Sequence, residues 1–262
     1  MYMTGQIEPY YFKTPQNGVF LHFMRSAGTV ALTGEAVAGH HSEGRYDLTK
    51  AKGEVAYCRR RAEAMLENAS PLMDIYREDG AARLNAFLLA DSRTPGRRRH
   101  ILHTPPLCTM EPDCLAALLE KQGLPEENRQ RIRAYARTRR EQLETILLTD
   151  TVHLELPRLT EQAFAQFPPA LPLSGLFYGQ DVPYTYETYL AHLAQTEAFA
   201  AAHPRCELEF TGGGAFRNLQ ITIHEGQWAM VSKGKSPAIH FVIRHPKLRA
   251  AIERFVPPMV EE

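Results

Sequence analysis

The sequence predicts an α+β protein, in which a helical N-terminal part precedes a C-terminal α/β part with an antiparallel hairpin and a final helix. Three observations predict this class. Apolar residues recur at helical spacing along 125–148, polar and apolar residues alternate along 218–224, and Pro246 opens a last amphipathic segment. The expected regions are an irregular N-terminal segment over 1–49, a helical region over 50–156 and an α/β region over 157–262.

The helical region is expected to hold four helices. They cover 50–68, 71–77, 111–122 and 125–148. The first is rich in helix-forming residues, and Pro71 and Pro125 suit the first turns of the second and the fourth. Thr109 is predicted to cap the third helix. Residues 81–90 fit either a helix or a strand, and 93–103 is interpreted as a basic connection with a Pro-Gly turn.

The α/β region follows a proline-rich boundary segment, 157–172. Its predicted elements are a helix over 184–202, strands over 207–210, 218–224, 228–232 and 238–243, and a helix over 246–255. Glu225 and Gly226 form the turn between the second and third of these strands, which predicts a β-hairpin. The strand 238–243 shows little alternation, so we expect it to lie inside a sheet.

Composition excludes several classes of protein. The chain has 262 residues, of which 44% are hydrophobic, and this content argues against global disorder. Its 30 basic and 30 acidic residues give no net charge, which argues against nonspecific electrostatic binding of the whole protein to nucleic acid or membrane. No run approaches the ~20 apolar residues that cross a bilayer, and residues 1–12 lack the pattern of a signal peptide. We therefore expect a cytoplasmic protein that makes no membrane contact, with cysteines in the reduced state.

Motifs for catalysis or cofactor binding are missing. The sequence has no Gly-x-Gly-x-x-Gly loop, no phosphate loop, no His-Glu-x-x-His helix and no Gly-x-Ser-x-Gly elbow. Histidines at His40, His41, His100, His103 and His153 show no zinc-ligand pattern. We therefore predict no catalytic residue, no metal and no cofactor.

Residues 92–140 carry an excess of positive charge, because they contain eleven basic side chains and five acidic ones. Three interpretations remain open: a nucleic-acid face, a solvated helix face, and a pocket for a small acidic effector, because arginine binds carboxylate and phosphate through two parallel hydrogen bonds. The candidate nucleic-acid or anion residues are Arg97, Arg98, Arg99, Arg133 and Arg137.

A second polar cluster lies on the predicted C-terminal strands. Alternation places Asn218, Gln220, Thr222 and His224 on one face of their strand. That face is either the solvent face of an antiparallel sheet or a covered face whose polar groups need partners or a ligand. The candidate ligand-binding residues are Arg217, Asn218, Gln220, Lys233, His240 and Arg244.

Several stretches carry a resemblance to a known family. They are DIYR at 74–77, TM at 109–110, LSGLF at 173–177, FRNLQI at 216–221, WAMVSK at 228–233 and SPAIHFVIRHPKLR at 236–249. Over roughly 50–262 the chain resembles the C-terminal region of bacterial transcriptional regulators of gut Firmicutes. Those regulators carry an N-terminal Cro/repressor-like (XRE-type) helix-turn-helix. Residues 1–49 show no pair of short amphipathic helices around a tight turn, so this chain departs from the family there.

The resemblance implies an effector-binding regulatory domain. It would bind an unknown small effector or a partner, form a homodimer, and reach DNA only through a helix-turn-helix that is missing here or separate. Two alternatives stay open from the residues. One is a hydrolase or phosphodiesterase that uses His240 or His245, and the other is a nucleic-acid binder that uses the arginines of 92–140.

Overall fold

The computed structural model describes residues 7–13, 18–212 and 218–256. The chain divides into two compact units: Glu8–Leu72 forms the smaller, and the larger comprises the chain from Met73 onward together with Ile7. The predicted boundaries after residues 49 and 156 do not coincide with this division. A mixed α/β class is confirmed, since the described residues form seven α-helices and twelve strands in three sheets.

The smaller unit is built mainly from β-structure. Its elements are β1 (Tyr10–Tyr11), β2 (Phe20–Ala27), β3 (Val30–Val37), β4 (Arg45–Thr49), α1 (Lys52–Glu67) and β5 (Ser70–Pro71). Strands β2, β3 and β4 form an antiparallel sheet, and β1 pairs with β5. The expectation of an irregular N-terminal segment is therefore wrong. Of the side chains described in these strands only Ala31 is buried. The sequence therefore lacks the regular alternation of apolar and polar residues that indicates a half-buried strand.

The larger unit holds a seven-stranded sheet with helices on both of its faces. Its strands are β6 (Asp74–Tyr76), β7 (Arg98–Ile101), β8 (Val152–Pro157), β9 (Cys206–Thr211), β10 (Leu219–His224), β11 (Trp228–Lys233) and β12 (Ile239–Ile243). Its helices are α2 (Ala81–Asp91), α3 (Pro112–Lys121), α4 (Glu126–Leu147), α5 (Glu161–Gln166), α6 (Tyr186–Ala202) and α7 (Pro246–Glu253). The strand order is β6-β12-β11-β10-β7-β8-β9.

Strand β7 is where the sheet changes direction. It pairs antiparallel with β10 on one side and parallel with β8 on the other. Strands β6, β12, β11 and β10 are antiparallel neighbours, whereas β8 and β9 continue the parallel half. The predicted hairpin is confirmed as β10 and β11, and the predicted internal strand is confirmed as β12, which lies between β6 and β11.

Even-numbered residues of β7–β12 share one face of the sheet, and this face is covered by α2 and α4. Leu84 of α2 packs with Met230 and Val242, and Ile132 of α4 packs in one cluster with Leu154. Each of these side chains is at most 5% exposed, so each contributes about 1.5–3 kcal/mol by its burial.

The opposite face of the sheet carries the end of the chain. Ile101, Ile223 and Ala229 form a small core there, and Ile252 of α7 and the following Phe255 pack against it. The amphipathic pattern that predicted a final helix therefore identifies the side of α7 that faces the sheet.

Three local expectations are wrong for identifiable reasons. The predicted short helix over 71–77 is replaced by β5 and β6, because Ile75 pairs with Phe241 at the sheet edge. Thr109 does not cap α3, since it is fully buried and donates its hydroxyl to the Pro106 carbonyl, 2.8 Å away. The predicted basic connection over 93–103 contains β7, whose polar side chains mask the strand.

No helix within the described ranges is long and apolar enough to span a membrane.

Candidate ligand-binding cavity

A row of polar side chains lies on the covered face of the sheet. The strand register places Gln220 beside Ser232, and Ser232 beside His240. In the next row Thr222 lies between Met230 on β11 and His100 on β7. Ser232 and His240 are at most 1% exposed. Gln220 and Thr222 therefore lie on the face that the helices cover, so the solvent-face interpretation is wrong for these two residues and for the buried His224 and His240, whereas Asn218 and Arg244 are exposed.

His240 is held by hydrogen bonds through both ring nitrogens. Nδ1 lies 2.7 Å from the Ser232 hydroxyl, and Nε2 lies 3.0 Å from the Ser174 carbonyl. A carbonyl only accepts, so Nε2 donates its proton there and Ser232 donates to Nδ1. Burial lowers the pKa of His240 from 6.5 to about 4, so the ring is neutral at physiological pH.

Asp91, the last residue of α2, ties that helix to the sheet. Its Oδ1 accepts hydrogen bonds from the Trp228 indole at 2.7 Å and from His224 Nδ1 at 2.6 Å. Its Oδ2 pairs with Arg98 at 3.1 Å, and Arg98 also donates to the carbonyls of Asp91 and Thr94 at 2.7 Å each. Arg98 is 1% exposed, so this carboxylate compensates a buried charge.

The polar row borders a cavity of about 110 Å³ between the sheet and the helices α2 and α4. One water needs roughly 10–15 Å³ of such space, so the cavity can hold several waters or a small organic ligand. Leucines of α2, α4 and β8 form much of its apolar wall, namely Leu84, Leu88, Leu143 and Leu154. Its polar lining includes Arg98, His100, Tyr135, Arg139, Gln142, Gln220, Thr222 and His240.

The ionised groups that line the cavity leave one positive charge unbalanced. Asp91 and Arg98 neutralise each other. Arg139 donates to Gln142 at 2.6 Å, and no carboxylate of the described chain lies within 4.0 Å of it. Burial, assisted by the charges of Arg139 and Arg98, lowers the pKa of His100 to about 3 and keeps that ring neutral. The lining therefore carries a net charge of +1.

Of the six predicted ligand-binding residues, the structure places two in the cavity lining, Gln220 and His240. Lys233 is paired with Leu219 and Ile239, so it lies on the opposite face of the sheet. Asn218 is exposed and lies just before β10.

The other two predicted residues lie elsewhere. Arg244 is exposed, forms an ion pair with Asp74 and stacks over the Phe87 ring, 5.1 Å from its centroid. Arg217 lies outside the described residues.

The candidate nucleic-acid arginines on and beside β7 are bound to acidic partners. Arg97 pairs with Glu207 at 3.3 Å, and Arg99 binds Glu155 through two hydrogen bonds. Arg98 and Arg99 alternate on the strand and so lie on opposite faces of the sheet. Arginines that are paired with carboxylates offer little free charge to a phosphate backbone.

The two predicted arginines on α4 differ in their surroundings. Arg133 pairs with Glu126 at 2.7 Å, whereas Arg137 is exposed. Arg98 is the one predicted arginine that reaches the cavity.

Sequence reasoning missed Arg139, His100 and Tyr135 as members of the site. A signal for the α4 residues exists, because Tyr135, Arg139, Gln142 and Ile146 follow one another at spacings of four, three and four along one helix face. His100 gave no such signal, since β7 was interpreted as a connection. Thr222 lies on the predicted polar face of its strand but is not one of the six candidate ligand-binding residues.

No family model matches this chain, and no curated protein matches it either. In the described parts of the chain, no group of three or more His, Cys, Asp or Glu side chains is arranged to hold a metal ion.

Proposed function

We propose that the chain is the effector-binding domain of a bacterial regulatory protein and that its effector binds in the cavity between the polar sheet face and helices α2 and α4. One observation carries the proposal: Gln220 and Thr222, on the alternating polar side of β10, line this cavity. Thr222 and His100 line it and have no side-chain hydrogen-bond partner within the described residues. Polar groups that are covered by protein and have no protein partner can form their hydrogen bonds with a bound ligand.

The regulatory part of the proposal rests on the sequence resemblance to transcriptional regulators of the XRE type. That resemblance also implies a cytoplasmic homodimer that reaches DNA through a separate or missing helix-turn-helix. Residues 7–13 and 18–51 form strands, turns and a short 3₁₀ segment but no α-helix, which agrees with the lack of a helix-turn-helix pattern in the sequence. Light scattering of the full chain measures its oligomeric state: a monomer at micromolar concentration would contradict the dimer.

The hydrolase alternative is not adopted. The Ser232 hydroxyl lies 2.7 Å from His240 Nδ1, but Ser232 is fully buried and His240 Nε2 is engaged by the Ser174 carbonyl. A catalytic base needs a free nitrogen and a nucleophile that substrate can reach. His245 instead accepts a hydrogen bond from the Leu248 backbone at the start of α7.

A metabolite library screened by thermal shift tests the proposal. We expect hits that raise the Tm of the wild-type chain. Their effect should be lost in Thr222→Leu, which fills the cavity, and kept in Asn218→Ala, which changes an exposed residue on the same strand segment. The Tm of each variant without ligand reports its folding. A library with no hit, or hits that stabilise Thr222→Leu as much as the wild type, would refute the cavity assignment.

A further inference from the structure

The charge of the cavity restricts the ligand that it can hold. Arg139 is the cation without a carboxylate partner, and the Arg98 charge is already neutralised by Asp91. A partly buried cation is stabilised by a counter-charge, and a guanidinium fits a carboxylate through two parallel hydrogen bonds. A single unbalanced cation matches a monoanion better than a multiply charged ligand.

Neutral hydrogen-bonding groups line the same cavity as this cation. The Tyr135 hydroxyl, the Thr222 hydroxyl and the His100 ring all line the cavity, and the described residues supply no side-chain hydrogen bond to any of them. Burial, assisted by the Arg139 charge, lowers the pKa of His100, and burial raises the pKa of Tyr135, so both groups are neutral beside the cavity. These groups can complete the hydrogen bonds of a carboxylate whose charge Arg139 balances.

The rest of the wall is apolar. Leu88, Leu143 and Met230 line it, so part of the ligand must be hydrocarbon if it is to contact them favourably. The volume of about 110 Å³ corresponds to roughly seven to eleven water-sized groups. Inorganic phosphate is too small to fill this space and has no apolar part.

We infer that the cavity binds a small monocarboxylate, with its carboxylate on Arg139 and its hydrocarbon part against Leu88, Leu143 and Met230. This inference rests on the proposed function, because it names the ligand class of the same cavity. The isosteric pair hexanoate and hexanamide tests it, since the two probes differ in charge and hardly in shape.

Isothermal titration of the full chain should detect hexanoate at millimolar concentration, with hexanamide and inorganic phosphate binding at least tenfold more weakly. Arg139→Gln should weaken hexanoate binding about ten- to hundredfold, as expected for loss of a charge-assisted hydrogen bond. Arg139→Lys keeps the charge and should recover part of the affinity. The matched control is Arg137→Gln, an exposed arginine on the same helix that does not line the cavity.

The outcomes separate this inference from the proposed function. If hexanamide binds as tightly as hexanoate and neither probe responds to Arg139→Gln, the anion assignment is wrong while the cavity remains a binding site. If neither probe binds but library hits are still lost in Thr222→Leu, the ligand class is wrong and the proposed function stands. If hexanoate binds equally to wild type, Arg139→Gln and Thr222→Leu, it binds elsewhere and the inference fails.

Discussion

Replacement of Asp91 by asparagine should destabilise the larger unit strongly. An aspartate at the C-terminal end of a helix opposes the helix dipole, so its presence there needs a compensating gain. The gain is visible in its partners: the carboxylate accepts from Trp228 and His224 and neutralises Arg98, which is 1% exposed. Asp91→Asn removes the charge and turns one acceptor into a donor.

The expected loss is about 3–5 kcal/mol, the usual effect of leaving one partner of a buried ion pair uncompensated. This is a large fraction of the ~5–15 kcal/mol that stabilises a typical domain. Urea unfolding followed by far-UV circular dichroism measures it. Fluorescence is the poorer probe, because the single tryptophan, Trp228, is itself a partner of Asp91.

The matched control is Glu207→Gln, which breaks the pair with Arg97 at 3.3 Å. Both of its side chains are about half exposed, so the loss should stay below about 1 kcal/mol. Adding Arg98→Met to Asp91→Asn should restore part of the stability, because the buried charge is then gone. Equal losses in Asp91→Asn and Glu207→Gln, or a double variant no more stable than Asp91→Asn, would show that Asp91 does not compensate the buried charge of Arg98.

Two further predictions concern buried contacts of the sheet. The folded-state pKa of His240, about 4, lies below the ordinary 6.5, so the unfolded chain takes up the proton first and stability falls as the pH drops below 6.5. His240→Gln should remove about 2 kcal/mol of the stability difference between pH 7 and pH 5, and an unchanged difference would contradict the buried neutral ring. Gly96 has φ +140°, and a Cβ there would meet His224 Nε2 at 2.4 Å. Gly96→Ala should therefore lower the unfolding free energy by at least about 2 kcal/mol, whereas Gly53→Ala, with open space around it, should not lower it. Urea titration of both variants checks this, and equal stabilities would show that no clash exists.

Regular, periodic segments of this chain were predictable from the sequence. The long helix α4, the hairpin of β10 and β11, and the helix α7 each have a clear apolar period and a proline or glycine at an end. The sheet β2–β4 was not predictable from the sequence, because its described side chains are mostly exposed and buried residues do not alternate with exposed ones. Strand β7 was not predictable because its polar residues hide the apolar pattern of a buried strand. Arg98 pairs with Asp91, Arg99 pairs with Glu155, and His100 lines the cavity.

The candidate site was only partly predictable. Gln220 and His240 could be chosen because alternation groups residues on a strand face. Lys233 and Arg244 are close to the other candidates in sequence, but the strand register places Lys233 on the other face of the sheet and Arg244 pairs with Asp74. Arg139 comes from a helix some eighty residues before β10, and the sequence pattern gives no direct sign that the two meet.

A small effector is proposed to bind between the polar sheet face and helix α4. A crystal structure of the full chain with the strongest hit of the metabolite screen tests this claim most directly. We expect ligand density in the cavity, in contact with Gln220 and Thr222 and with its charged end on Arg139. A hit that is well ordered on the surface while the cavity holds only water would contradict it.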